Sequence, residues 1–153
     1  MASLELKIPP PVVALLTGLL MWLASRLIAP VAVPFGLRAG VAVAMACAGA
    51  AIGVSAMVSF LRAKTTMNPV RPDTASLLVT DGVFRFTRNP MYLSLLLYLL
   101  AWAVYLSNWL ALLLLPLFVL YINRFQIAPE ERMLSSLFDA QYVAYKGKVR
   151  RWL

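Results

Sequence analysis

The sequence predicts an all-α integral membrane bundle: about four transmembrane helices followed by an amphipathic helix on the cytoplasmic side. Three observations carry this. Of the 153 residues, 62% are hydrophobic and 13% charged, with a mean hydropathy of +0.82, whereas a soluble domain is roughly half apolar and a quarter charged. The charges are confined to short stretches and leave three uncharged runs, Ile8 to Ser25, Ala39 to Leu61 and Asn89 to Asn123. The basic residues between those runs are distributed very unevenly.

The first two runs are each one span long. The third, at about 1.5 Å per residue, would reach roughly 50 Å against a hydrocarbon core near 30 Å, so it must fold back. Ser107-Asn108, its only adjacent pair of turn-forming polar residues, divides it. The expected spans are therefore about 10–28, 39–61, 90–106 and 109–123, within a single domain covering 1–153 and with polar segments at 64–92 and 124–153. Twelve basic residues (Lys7, Arg62, Lys64, Arg71, Arg85, Arg88, Arg124, Arg132, Lys146, Lys148, Arg150 and Arg151) fall on one side of that arrangement, and Arg26 and Arg38 on the other. The positive-inside rule then places both termini and both polar segments in the cytoplasm. A start carrying Glu5 and Lys7, without a convincing A-x-A site, argues against reading the first run as a cleaved signal.

Composition also excludes chemistry. No histidine is present and Cys47 is the sole cysteine, so a histidine base, a Cys/His zinc site and an intrachain disulfide are all ruled out. A net charge of +8 would suggest nucleic acid in a soluble protein. Here the basic residues flank apolar runs, where they meet anionic headgroups, and no basic stripe interleaved with aromatics exists; membrane lipids are the expected partner, not nucleic acid. The second run is rich in small residues. Its Gly49-x-x-x-Gly53 pair suits close helix packing, either within the chain or in a homo-oligomer. Cys47 reads as a small apolar filler.

Function belongs where polar groups are dense. Thr80 to Tyr92 leads into the third span, with Asn89 placed to cap it and Pro90 at its first position. That is either a well-made helix start or a helix N-terminus presenting its free N–H groups to a ligand, with Arg88 and Tyr92 beside it. The second polar segment opens on Ala128-Pro129-Glu130-Glu131. Two acids in a first turn complement the helix dipole, yet the chain has only six acids, and an adjacent pair just past a span also suits a cationic ligand group or a base. Leu134, Leu137, Phe138, Tyr142 and Tyr145 recur at helical spacing, and Lys146, Lys148, Arg150, Arg151 and Trp152 read as an interfacial anchor.

Leu78-Val79-Thr80, Gly82, Arg88-Asn89-Pro90-x-Tyr92, Glu130-Glu131, Phe138 and Tyr142-x-x-Tyr145-Lys146 with Val149 together resemble the isoprenylcysteine carboxyl methyltransferase and phospholipid methyltransferase superfamily, in its bacterial branch. The resemblance covers the C-terminal half. It implies an enzyme of the bacterial inner membrane that uses S-adenosylmethionine at the cytoplasmic face and methylates a lipid or a small hydrophobic acceptor. By the same resemblance Leu78, Val79 and Phe84 line an adenosine pocket, Asn89, Pro90, Met91 and Tyr92 border the cofactor, and Glu130 holds its polar end with Glu131 in support. Should the acceptor lose a proton, Glu131 or water would take it. Three positions depart from the eukaryotic pattern: Asn89 stands for a histidine, Gln126 for the arginine that meets a prenylcysteine carboxylate, and Asp139 for a glycine. Gln126 is thereby the candidate substrate-binding residue, with charge pairing lost.

Two other classes compete. A membrane reductase of the sterol or ene type, using NADPH, shares the general C-terminal pattern in a longer chain. A non-enzymatic scaffold oligomerising through Gly49 and Gly53 would leave the cytoplasmic motifs unused.

Overall fold

The computed structural model describes residues 4–63 and 77–153. The first part of the polar segment expected at 64–92, with Lys64 and Arg71, lies outside the described residues. The regular elements of the described residues are all helical: α1 Pro10–Ala24, α2 Phe35–Ala63, a 3₁₀ turn Gly82–Arg85, α3 Pro90–Leu106, α4 Trp109–Ile122, a π turn Asn123–Ile127 and α5 Ala128–Lys148.

The long third run divides where its polar pair stands. Ser107 adopts φ 51°, ψ 46°, ending α3 in the left-handed conformation, and the Asn108 side chain accepts from Leu110 N at 3.0 Å to cap α4. The same two residues tie down the segment after α1: Ser107 Oγ donates to Val31 O at 2.9 Å and Asn108 Nδ2 to Ile28 O at 2.9 Å. The first helix is shorter than the expected span to residue 28, ending at Ala24 with turns to Ile28. Pro30 disfavours helix at the residue before it, and the Ile28 carbonyl serves Asn108 instead.

α3 is the centre, packing on α1, α2 and α4. The core joins Met21 of α1, Tyr92, Leu99 and Ala103 of α3, Ala111, Phe118 and Ile122 of α4, and Ile127. α2 meets α3 through a narrow seam in which Ala42, Gly49 and Ala56 are buried at intervals of seven. A Cβ on Gly49 would stand 3.2 Å from Ser94 O, and one on Gly53 2.8 Å from Ser94 Oγ, while that hydroxyl donates to Gly49 O at 2.7 Å. The G-x-x-x-G pair is thus engaged within the chain. Cys47, expected as a packed filler, is instead exposed on the opposite side of α2.

The outer surface is apolar, with Leu15, Leu19, Val43, Val54, Leu113, Leu117 and Leu120 each more than half exposed. Such a contiguous surface suits lipid. α2, and the helical path Trp109–Lys148 whose apolar part is α4, are long and apolar enough to cross a membrane; α1 and α3 are apolar but shorter, at 15 and 17 residues.

The passage from α4 to α5 has a local cause. Pro129 has no N–H to give Phe125 O, four residues back, and the helix widens by one residue so that Ala128 N reaches Asn123 O. The released Phe125 carbonyl accepts from Leu6 N at 3.0 Å. Glu5 adds ion pairs to Arg124 at 2.7 Å and to Arg132, so the segment before α1 lies against the start of α5. α5 itself kinks at Asp139, where φ is 36° and ψ −116°.

Candidate functional site

A cavity of about 360 Å³ opens at the end of the bundle where α3 and α5 begin and α2 finishes. Its size is that of a small-molecule site. Gly82 can take φ 63° because it has no side chain, which turns the chain into the 3₁₀ turn and leaves room for Ser59 Oγ, 3.0 Å from where a Cβ would be. The turn buries Phe84 edge-on against Phe60 of α2, ring centroids 5.3 Å apart, and the Phe84 carbonyl accepts from Tyr145 Oη at 2.7 Å. Leu78, Val79, Phe60 and Phe84 make an apolar wall; Tyr142 and Tyr145 face it from α5.

The opposite wall is the start of α3. Pro90, Met91 and Tyr92 line the cavity, and Asn89 occupies the cap position without capping. Its Nδ2 donates to Arg151 O at 2.8 Å, so the side-chain cap expected of Asn89 is not made and the first-turn N–H groups are left without one. The reason is the segment after α5, which runs back across α3: Arg88 N donates to Arg150 O at 2.9 Å and Thr87 Oγ1 to Arg151 O at 3.3 Å. Arg151 and Trp152, expected as an interfacial anchor, belong to this packing instead. Trp152 Nε1 donates to Asn123 Oδ1 at 3.0 Å, while Lys146, Lys148 and Arg150 remain exposed.

The two acids have different surroundings. Glu131 accepts from Arg88 Nη2 at 2.8 Å and from Arg151 Nη2 at 2.7 Å and Nε at 3.2 Å. Burial pulls its carboxyl upward, but the hydrogen bonds and charges of Arg151 and Arg88 outweigh that and hold it below the usual carboxylate range. A carboxylate so engaged is a poor base. Glu131, expected as a proton acceptor, is engaged here in ion pairs with Arg88 and Arg151.

Among the described residues, Glu130 has no cation beside it. Its Oε2 accepts from Tyr92 Oη at 3.0 Å, and its remaining surface faces the cavity. Burial pushes its carboxyl up to about 7; Tyr92 counteracts this in part, and the neighbouring Glu131 charge adds to it. Burial likewise raises the Tyr145 hydroxyl to about 12, and raises that of Tyr142 further, with the Glu131 charge contributing.

Leu78, Val79, Phe84, Asn89, Pro90, Met91, Tyr92 and Glu130, expected around one ligand, all line this cavity, as does Glu131. Gln126 does not. It sits in the π turn with no exposed surface and donates from Nε2 to Ile8 O at 2.8 Å, holding the segment before α1, so this residue, expected to meet the substrate, stands outside the cavity lining. Phe60, Tyr142 and Tyr145 are wall residues that periodicity assigned to packing or to a span. Their signal is legible only once the 3₁₀ turn is known to fold over α5.

The profile of the phospholipid methyltransferase family matches residues 37–141, from α2 through the kink of α5. A Schizosaccharomyces pombe protein-S-isoprenylcysteine O-methyltransferase is 30% identical over 103 residues, which are 67% of this chain and 44% of that protein, so the chain spans less than half of this relative. An uncharacterized protein of Haemophilus influenzae is 60% identical over 63 residues, 41% of this chain and all of that one. No solved structure matches the chain. With more than two thirds of its length inside the matched region, the acidic pair and most of the cavity lining included, the chain belongs to the phospholipid methyltransferase family.

Proposed function

We propose that this protein is an integral membrane methyltransferase that binds S-adenosylmethionine in the cavity and methylates a lipid or a small hydrophobic acceptor at the cytoplasmic face. The observation that carries the reading is Glu130, a carboxyl on the wall of a mostly apolar cavity with one tyrosine and, among the described residues, no cation to meet it. Such a group calls for a cationic ligand group, which would bring it back to its ionised state.

The residues present fit the cofactor. Glu130 and the Tyr92 hydroxyl suit an ammonium, the uncapped start of α3 suits a carboxylate, and the Leu78, Val79 and Phe84 wall suits an adenosine. When bound, the cofactor supplies a methyl group on a sulfonium, a reactive donor. The chain's own contribution is to hold the ligand by its polar end, to align an acceptor in line with the methyl group, and to exclude water from an apolar enclosure, effects worth several kcal/mol together. An acceptor arriving from the lipid would pass Pro10 and Pro11 of α1 and Leu95 of α3, which border the same cavity.

An NADPH site needs cations for its phosphates. Among the described residues the cavity wall offers Arg88 alone, and that side chain already serves Glu131, Lys146 O and Val149 O. Calorimetry with S-adenosylhomocysteine and with NADPH on detergent-purified protein tests the reading. Binding of the first and not of the second is expected; the reverse, or no binding of either, rejects it.

The reading includes four spans with both termini in the cytoplasm. The basic bias supports it, and so does the Glu5 contact with Arg124 and Arg132, which brings the chain before α1 and the chain after α4 to one end of the bundle. In a Cys47→Ala background, a cysteine label at Ser107 should react from outside and one at Gly147 from the cytoplasm. The opposite accessibilities reject the topology.

A further inference from the structure

We propose that the strap Val149–Trp152 is a positioning element of the cavity and that Arg151 is its key side chain, holding the start of α3 against the first turn of α5 so that Tyr92 and Glu130 meet on the ligand-facing wall. The inference rests on the cavity being the cofactor site. None of the strap residues lines the cavity, yet Val149, Arg150 and Arg151 are bonded to residues that do. Val149 O accepts from Arg88 Nη1 at 2.7 Å, Arg150 O from Arg88 N at 2.9 Å, and Arg151 O from Asn89 Nδ2 at 2.8 Å; Trp152 reaches the π turn at Asn123.

Arg151 also places a two-pronged contact on Glu131, Nε to Oε1 at 3.2 Å and Nη2 to Oε2 at 2.7 Å, while Arg88 takes Oε1 from the α3 side. The planar fork fixes the orientation of a carboxylate as well as its distance. Two consequences reach the cavity. Adjacent residues on a helix are about 100° apart around the axis, so locking Glu131 toward the strap directs Glu130 toward Tyr92. Drawing Asn89 to Arg151 O leaves the N–H groups at the start of α3 open to a ligand.

Glu130 is faced by Tyr92 from α3 and by Glu131 and Tyr142 from its own helix; Arg88 and Arg151 act on it through Glu131. Wild type is compared with Arg151→Lys, Arg151→Gln and Lys148→Gln in one detergent. The readouts are S-adenosylhomocysteine affinity across pH and, without ligand, melting temperature across pH. Lys148 is exposed and outside the strap, so Lys148→Gln should stay within about twofold of wild type.

Arg151→Gln should weaken binding about tenfold or more, as a small misplacement of positioned groups does. Both pH profiles should move upward, because Glu131 then keeps one counter-charge instead of two and Glu130 retains its proton more strongly. Arg151→Lys should restore the profiles and part of the affinity. Wild-type affinity with unmoved profiles in Arg151→Gln overturns the proposal, and so does a lower melting temperature with affinity and profiles unchanged. If Arg151→Gln does not fold, Arg151→Lys decides, and full wild-type affinity in that variant overturns it. If wild type itself fails to bind S-adenosylhomocysteine, the cofactor reading falls, while the ligand-free profiles still decide the role of the strap.

Discussion

Tyr92 and Glu130 lie 38 positions apart in the chain and meet at 3.0 Å, hydroxyl to carboxyl, on the wall of one cavity. The contact joins the first turn of α3 to the first turn of α5, and both residues would touch a bound ligand.

Glu130→Gln keeps the shape of the side chain and removes its charge. If Glu130 meets a ligand ammonium, the loss of a charge-assisted hydrogen bond of about 1.5–3 kcal/mol should weaken S-adenosylhomocysteine binding roughly ten- to a hundredfold, with the ligand-free melting temperature held or raised. Calorimetry on both proteins checks this. An affinity within about threefold of wild type would return the acid to the bland role of complementing a helix dipole.

A second expectation follows from pH alone. In the folded, ligand-free protein Glu130 keeps its proton up to about pH 7, whereas its ordinary value is 4.5. Between those two values the folded state binds more protons than the unfolded chain, so stability falls as pH rises through that window. Glu130→Gln should flatten the fall, as read by melting temperature between about pH 4.5 and 7. Glu131, held below the usual range by Arg151 and Arg88, acts in the other sense: its contribution is present above the unfolded value and is lost as pH drops. An unchanged slope in Glu130→Gln would refute the assignment.

Asp139→Gly should stabilise the protein. At φ 36°, ψ −116° a side chain is strained by about 1–3 kcal/mol, and glycine is free of that penalty even after its greater unfolded-state entropy is counted. Thermal unfolding of the variant checks the sign.

Gln126→Arg should destabilise and bring no gain of turnover on a prenylcysteine carboxylate. The site has no exposed surface and its amide holds Ile8 O, so a guanidinium there would be buried against the segment before α1, at a position that does not line the cavity. Efficient new turnover in this variant would show that the wall extends further than the lining residues indicate.

Gly53→Ala should cost about 1–2 kcal/mol. The added methyl would stand 2.8 Å from Ser94 Oγ, and turning that hydroxyl away breaks its bond to Gly49 O. The double variant with Ser94→Ala should recover part of the loss. A full loss in both would point to backbone displacement.

Much of this fold is readable in the chain because its signals are local. Ser107-Asn108 stops one helix and caps the next through its own conformation and side chain, needing nothing from the rest of the molecule. The grouping of Leu78, Phe84, Pro90 and Glu130 is legible only through resemblance, since no spacing rule brings together residues from two segments 40 positions apart. What escaped were partners set by tertiary packing. Asn89 has the identity of a cap and the environment of a strap ligand, Arg151 has the composition of a membrane anchor and the geometry of an ion pair, and Gln126 occupies a substrate position by resemblance while its amide holds the segment before α1.

The π turn between α4 and α5 sets the rotational phase of one continuous rod. Its lower part carries Leu113, Leu117 and Leu120 to the apolar exterior, and its upper part carries Glu130 to the cavity. Each residue added to or taken from such a rod turns everything beyond it by about 100°. Deleting one residue of Asn123–Ile127 would leave the composition of the wall nearly untouched and swing Glu130 away from Tyr92, so the shape of the cavity depends on a count of residues as much as on their kinds.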